Sequence, residues 1–266
     1  MGGSLKAYQN MDTNRIHSIV KDVIDHYVKS GTAFHSAEQP INEGINKSHF
    51  RQKLAKALEH SMIIPAATPE MVKKFCAEAV RYGFANVSVP ACFVKMTAEL
   101  LKGTGVKTSS AVAFPYGNTT TRMKVEEALE IIDHGGAEID LPINIGLLKS
   151  GDSNSVSCEI KSVLEAAGKR ALIKVVVDLG LLSDEEKIKA ALIAKVSGAP
   201  FVKVAAGSKP GGVTLEDIKM IRAAVGSEMG IKADGGIRDY QTAVKMLEAG
   251  ATRIGASGSV KIITGG

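Results

Sequence analysis

From about residue 54 onward, short apolar runs alternate with stretches of helical periodicity. Eight runs read as strands: Met62-Ile63-Ile64, Asn86-Val87-Ser88-Val89, Ser110 to Phe114, Glu138-Ile139-Asp140-Leu141, Leu172 to Val177, Phe201 to Val204, Gly230 to Ala233 and Thr252-Arg253-Ile254-Gly255. Between them the apolar spacing is helical. Thr68-Pro69-Glu70 opens one helix with a capping residue and a proline at the first helical position. Thr214-Leu215-Glu216-Asp217 opens another with an acidic first turn, and Gly83, Gly136, Gly198 and Gly250 stand where helices should end. Near-continuous apolar strands imply parallel pairing with both faces covered. Eight strand–helix units favour closure, so the expected fold is α/β, a (β/α)8 TIM barrel over residues 46–266. An open doubly wound sheet is the competing arrangement, but no strand runs into a Gly-rich dinucleotide fingerprint.

Residues 1–45 break this pattern and are expected to form an N-terminal helical extension. Ile16, Ile19, Val20, Val23 and Ile24 share one side of a predicted helix over about 12–30, and a polar stretch follows.

Charges inside buried strands are the informative departures from this apolar pattern. Four consecutive strands carry one: Asp140, Lys174, Lys203 and Lys232. Neighbouring strands lie roughly 4.8 Å apart, so inward-facing charges on successive strands would converge. A single such lysine could simply snorkel to water; three lysines and an aspartate on adjacent strands point to chemistry. An amine attacks a carbonyl only when unprotonated, and an ordinary lysine has a pKa of about 10.4. Burial and a second cation, Lys232 beside Lys203, are expected to lower it. Asp140 is placed to shuttle protons to and from a carbinolamine.

Glycine-rich turns add a second feature. Gly235-Gly236 follows the seventh strand, and Gly255-Ala256-Ser257-Gly258-Ser259 follows the eighth into a short helix. Barrels commonly bind phosphate there. With Gly207 and Lys174, residues Gly235, Gly236, Ser257 and Gly258 make up the expected substrate- and phosphate-binding set.

The net charge of +5 arises from basic residues scattered among acidic ones, so no nucleic-acid-binding arm is read. No apolar run reaches membrane-span length and no signal-peptide pattern is read, which makes a cytoplasmic location the expectation. Cys76, Cys92 and Cys158 lack metal-ligand spacing and are expected to be buried thiols of a reducing compartment. The histidines lack ligand spacing too, and His60 reads as structural. No metal or cofactor is expected. The expected partner is a small phosphorylated sugar or aldehyde, with self-association into a homo-oligomer an open option.

From about residue 56 to 262 the chain resembles the deoxyribose-phosphate aldolase family. The likeness rests on Tyr82-Gly83-Phe84-Ala85, Phe114-Pro115-Tyr116-Gly117, Glu138-Ile139-Asp140 with Asn144-Ile145-Gly146, Phe201-Val202-Lys203, Pro210-Gly211-Gly212, Lys232-Ala233-Asp234-Gly235-Gly236-Ile237-Arg238 and Ala249 to Gly255. It implies a class I aldolase that reversibly cleaves 2-deoxyribose 5-phosphate to acetaldehyde and glyceraldehyde 3-phosphate. It also implies Lys203 as the Schiff-base lysine, Lys232 as the second lysine, Asp140 as the proton relay, and Gly235, Gly236 and Ser257 near the phosphate.

The chain departs from the family pattern at several places. Glu59-His60-Ser61 stands for Asp-His-Thr, Ile64 for a lysine before Pro65, and Asp178-Leu179-Gly180 for Glu-Thr-Gly. Val204-Ala205-Ala206-Gly207 replaces Thr-Ser-Thr-Gly, and Ser257-Gly258 replaces paired serines. Each lost hydroxyl removes a hydrogen bond of about 0.5–1.5 kcal/mol. Two further readings therefore stay open: a lysine aldolase with a shifted substrate, and a catalytically weak homologue acting as a binding or scaffold protein.

Overall fold

The computed structural model describes residues 47–265. The predicted helix over 12–30 lies outside them. Eight parallel strands close into a barrel in chain order: β1 (Leu58–Ser61), β2 (Asn86–Ser88), β3 (Lys107–Ala111), β4 (Glu138–Pro142), β5 (Leu172–Asp178), β6 (Phe201–Ala205), β7 (Gly230–Asp234) and β8 (Arg253–Ala256). β1 pairs with both β2 and β8, which closes the ring and excludes the open sheet.

Helices alternate with the strands on the outside. They are α1 (Lys47–Ala57), α2 (Pro69–Tyr82), α3 (Val94–Leu101), α4 (Thr121–Asp133), α5 (Ile145–Lys149), α6 (Ser153–Ala167), α7 (Asp184–Val196), α8 (Leu215–Val225), α9 (Tyr240–Glu248) and α10 (Ser259–Thr264). Local chemistry sets their ends. The Thr68 hydroxyl accepts from the Met71 amide and Pro69 begins α2; Gly83 ends it in the left-handed region at φ 69°. Thr214 and Asp217 form a reciprocal capping box on α8, as Ser183 and Glu186 do on α7.

The strands alternate strictly. Val87, Ile139, Leu141, Ile173, Val175, Val177, Val202, Val204, Ile231 and Ile254 are buried in the layer between strands and helices. The opposite positions face the barrel interior, and there the polar groups collect. His60 faces outward: it stacks on Phe75 with ring centres 3.9 Å apart and bonds Glu78 at 2.9 Å.

The cysteines depart from expectation. Cys76 is buried, but Cys92 and Cys158 are exposed, on a 3-10 turn and on the outer side of α6. Among the described residues no helix is long and apolar enough to cross a membrane.

Candidate active site

Strand register delivers the charged side chains to one another. Lys203 on β6 lies directly beside Lys232 on β7, and Asp140 on β4 beside Lys174 on β5. The side chains meet across the interior. Asp140 Oδ2 accepts from Lys203 Nζ at 2.9 Å and from Lys232 Nζ at 3.0 Å. One carboxylate oxygen therefore holds two ammonium groups. Lys232 Nζ also lies 2.7 Å from Glu59 Oε2 on β1. Lys203 Nζ lies 2.5 Å from Asp234 Oδ2, which stands two residues beyond Lys232 on β7.

Lys174 belongs to the deeper half of this network. On β5 the partner of Lys203 is Val176, so Lys174 sits one pleat repeat further from the mouth. It is fully buried, bonds Glu59 at 3.0 Å, pairs closely with Glu138, and lies 3.9 Å from Asp140. Lys174, expected in the substrate-binding set, is held by three carboxylates one pleat repeat below the level of Lys203. Asn86 donates to Glu138 at 2.7 Å, and Arg253 lies 3.8 Å from Glu59 and 3.7 Å from Glu138.

Among the described residues, Lys174, Lys203, Lys232 and Arg253 are matched in this network by Glu59, Glu138, Asp140 and Asp234. That balance is what permits burial, because an unpaired ion would cost several kcal/mol to desolvate.

The charge states follow from it. Burial alone would push the Asp140 carboxyl up, but Lys203, Lys232 and Lys174 hold it well below the usual carboxylate range. Burial would likewise raise Glu59, yet Lys174 and Lys232 bring it down to about 2. Burial disfavours the Lys232 ammonium, but Asp140, Glu59 and Asp234 outweigh it and hold its pKa well above the ordinary lysine value. Lys203 behaves the same way: burial and Lys232 lower its pKa, Asp140 and Asp234 raise it, and the carboxylates prevail. The expected depression of Lys203 is therefore reversed in the resting site. The sequence reading counted the second cation and missed the second carboxylate.

The signals for the missed groups were present. Glu138 and Asp234 lie two residues from Asp140 and Lys232, on the same strand face. Arg253 lay within the eighth predicted run. Glu59 lies outside the predicted first strand, Met62-Ile63-Ile64, whereas β1 is Leu58–Ser61, which turns Glu59 into the barrel.

The glycine positions surround the open end. Gly207, Gly235-Gly236 and Ser257-Gly258 follow β6, β7 and β8 in turn. Gly207, Gly236, Ser257 and Gly258 are exposed and Gly235 is half-buried. A Cβ on Gly212 would approach Gly236 Cα to 2.8 Å, so the loops after β6 and β7 pack backbone against backbone.

Comparison with known proteins agrees with this arrangement. Residues 23–261 match the model of the DeoC/LacD family aldolases. A deoxyribose-phosphate aldolase from Caldanaerobacter subterraneus subsp. tengcongensis is 47% identical over 221 residues, covering 82% of this chain and 96% of that protein. One from Clostridium kluyveri is 45% identical over 213 residues, covering 80% and 98%. Among solved structures, an aldolase designated QR15 superposes with a TM-score of 0.76 at 33% identity, covering 79% of this chain and 94% of that one. A tetrameric deoxyribose phosphate aldolase from Aeropyrum pernix gives 0.74 at 27% identity, covering 80% and 91%. A closed parallel barrel with a lysine-rich interior, together with these matches over most of its length, makes this chain a member of the DeoC/LacD family of aldolases.

Proposed function

We propose that the protein is a deoxyribose-phosphate aldolase that works through an imine on Lys203. The observation that carries the reading is the shared contact of Lys203 and Lys232 on one oxygen of Asp140, inside a closed barrel. The amine adds to C1 of open-chain 2-deoxyribose 5-phosphate and water leaves. The resulting iminium nitrogen is an electron sink. The 3-hydroxyl loses its proton, the C2–C3 bond breaks, and its electron pair flows toward nitrogen to give an enamine. Glyceraldehyde 3-phosphate departs. Protonation of the enamine carbon and hydrolysis then release acetaldehyde and regenerate Lys203.

Asp140 carries protons between the two amines, and Lys232 keeps a positive charge beside the reacting nitrogen, which favours return of Lys203 to its neutral form once a proton has left. Gly207, Gly235, Gly236, Ser257 and Gly258 are assigned to the phosphate end. The closed barrel is the aldolase domain. The free thiols suit a cytoplasmic enzyme. Assembly into a homo-oligomer is supported by the tetrameric Aeropyrum pernix relative.

Borohydride reduction in the presence of 2-deoxyribose 5-phosphate should leave a stable adduct on the peptide containing Lys203. Lys203→Ala should show no adduct and lose cleavage by on the order of 10³-fold or more. An adduct at another lysine, or full cleavage by Lys203→Ala, would overturn the assignment.

A further inference from the structure

Asp140 has no accessible surface, and its Oδ2 is committed to two ammonium groups. Such a carboxylate can pass a proton between buried amines but has no route of its own to water. Asp234 differs on each count. It stands one pleat repeat nearer the mouth than Lys232, its side chain is 20% exposed, and Oδ2 lies 2.5 Å from Lys203 Nζ. Among the described residues its other charged neighbour is Lys232 at 4.0 Å; toward β8 it faces Gly255, whose missing side chain leaves it room.

We propose that Asp234 is a catalytic residue: the acid–base group that takes the proton from Lys203 and returns it to the leaving oxygen during imine formation. The inference rests on Lys203 being the imine-forming lysine. In the first step the Lys203 ammonium gives a proton to the Asp234 carboxylate, leaving a neutral amine and a carboxylic acid. The amine lone pair forms the N–C bond, the carbonyl π pair moves to oxygen, and a proton passes from nitrogen to that oxygen, giving a neutral carbinolamine. Asp234 then donates its proton to the hydroxyl, the C–O bond breaks, and water leaves. The nitrogen lone pair forms the C=N bond of the iminium. Ammonium and aldehyde have become iminium and water, and Asp234 is again a carboxylate. Hydrolysis runs the same steps backwards.

The test follows the rate of borohydride trapping with 2-deoxyribose 5-phosphate across pH. Asp234→Asn should slow trapping by about 10²-fold, the ordinary contribution of a positioned acid–base group. It should also move the rise in rate that marks Lys203 deprotonation to lower pH, because one of the two carboxylates holding the ammonium is gone. Asp234→Glu should restore part of the rate. In Asp234→Ala, added formate should raise the trapping rate in proportion to its concentration, which a purely structural role would not produce. Trapping by Asp234→Asn at the wild-type rate would overturn the proposal. So would a uniform loss at every pH in the Asn variant, with no formate rescue in the Ala variant. If the wild-type protein itself gives no Lys203 adduct, it is the imine assignment that fails, and the two failures are told apart.

Discussion

Gly255 occupies the inward position on β8 opposite Asp234. A Cβ there would lie 2.7 Å from Asp234 Cγ and 2.9 Å from Lys232 Cε. Both groups are tied to the ion network, so a methyl there would displace them from their partners. Gly255→Ala should therefore act mainly on chemistry. Overpacking of this kind costs about 1–3 kcal/mol of stability, whereas a displaced reacting group can cost on the order of 10²-fold in rate. The expected result is a small fall in Tm with a large fall in kcat for cleavage. A variant with unchanged kcat would mean that Asp234 and Lys232 tolerate displacement. Gly207 is constrained by the same logic at the next loop. Its φ is 54°, and a Cβ would fall 2.2 Å from the carboxylate of Asp178, which accepts from the Gly180 amide at 2.8 Å. Both glycines are needed because a carboxylate fills the space beside them, a reason that no reading of Gly-rich loops as phosphate turns would supply.

Among the helices, α4 and α6 hold the exit of β4 through a second buried pair, Lys124 and Glu159. Lys124 Nζ bonds Glu159 at 2.5 Å and donates to the Pro142 carbonyl at 3.1 Å, two residues after Asp140. Both side chains are almost fully buried. Burial lowers the Lys124 pKa and raises that of Glu159, each outweighing the partner's attraction, so desolvation governs this pair. Removing one member should cost about 3–5 kcal/mol because an uncompensated charge remains. Lys124→Met should thus be strongly destabilised, and Lys124→Met with Glu159→Leu should recover much of the loss in urea unfolding. A double variant as unstable as the single one would show that the Pro142 contact, not the charge, dominates. At this scale the sequence reading succeeded where strands were apolar: β4 to β8 fall within a residue of the predicted runs. It slipped at β1 and β3, whose residues are Leu-Glu-His-Ser and Lys-Thr-Ser-Ser-Ala. There the inner face is polar and the apolar residues stand just beyond, so hydropathy drew both strands toward the loop. The pair Lys124 and Glu159 left no signal, because two charges on surface-type helices look like solvated positions until the fold brings them together.

Across the whole barrel, Glu59 on β1 joins Lys174 on β5 and Lys232 on β7, so one carboxylate ties together strands far apart in the chain. That contact exists only because closure places β1 beside β8, and the prediction it supports concerns the stability of the whole molecule. The unfolded chain titrates Glu59 near the ordinary glutamate pKa of about 4.3. In the folded protein it titrates at about 2. A depressed carboxylate contributes stability that is present above the unfolded pKa and lost as pH falls through the folded one; here that contribution is roughly 3 kcal/mol. Asp140 is displaced in the same direction and adds to it. Lys203 and Lys232, raised above their ordinary values, contribute stability that is full below about pH 10.4 and lost only above it. Resistance to urea should therefore vary little near neutrality and fall steeply between about pH 4.5 and 2. Glu59→Gln should lower the neutral plateau, because Lys174 and Lys232 are left with too little negative charge, and should flatten the acid fall, because the titrating group is gone. An acid slope in Glu59→Gln equal to that of the wild type would place the acid sensitivity elsewhere, on Asp140 or on carboxylates outside the network.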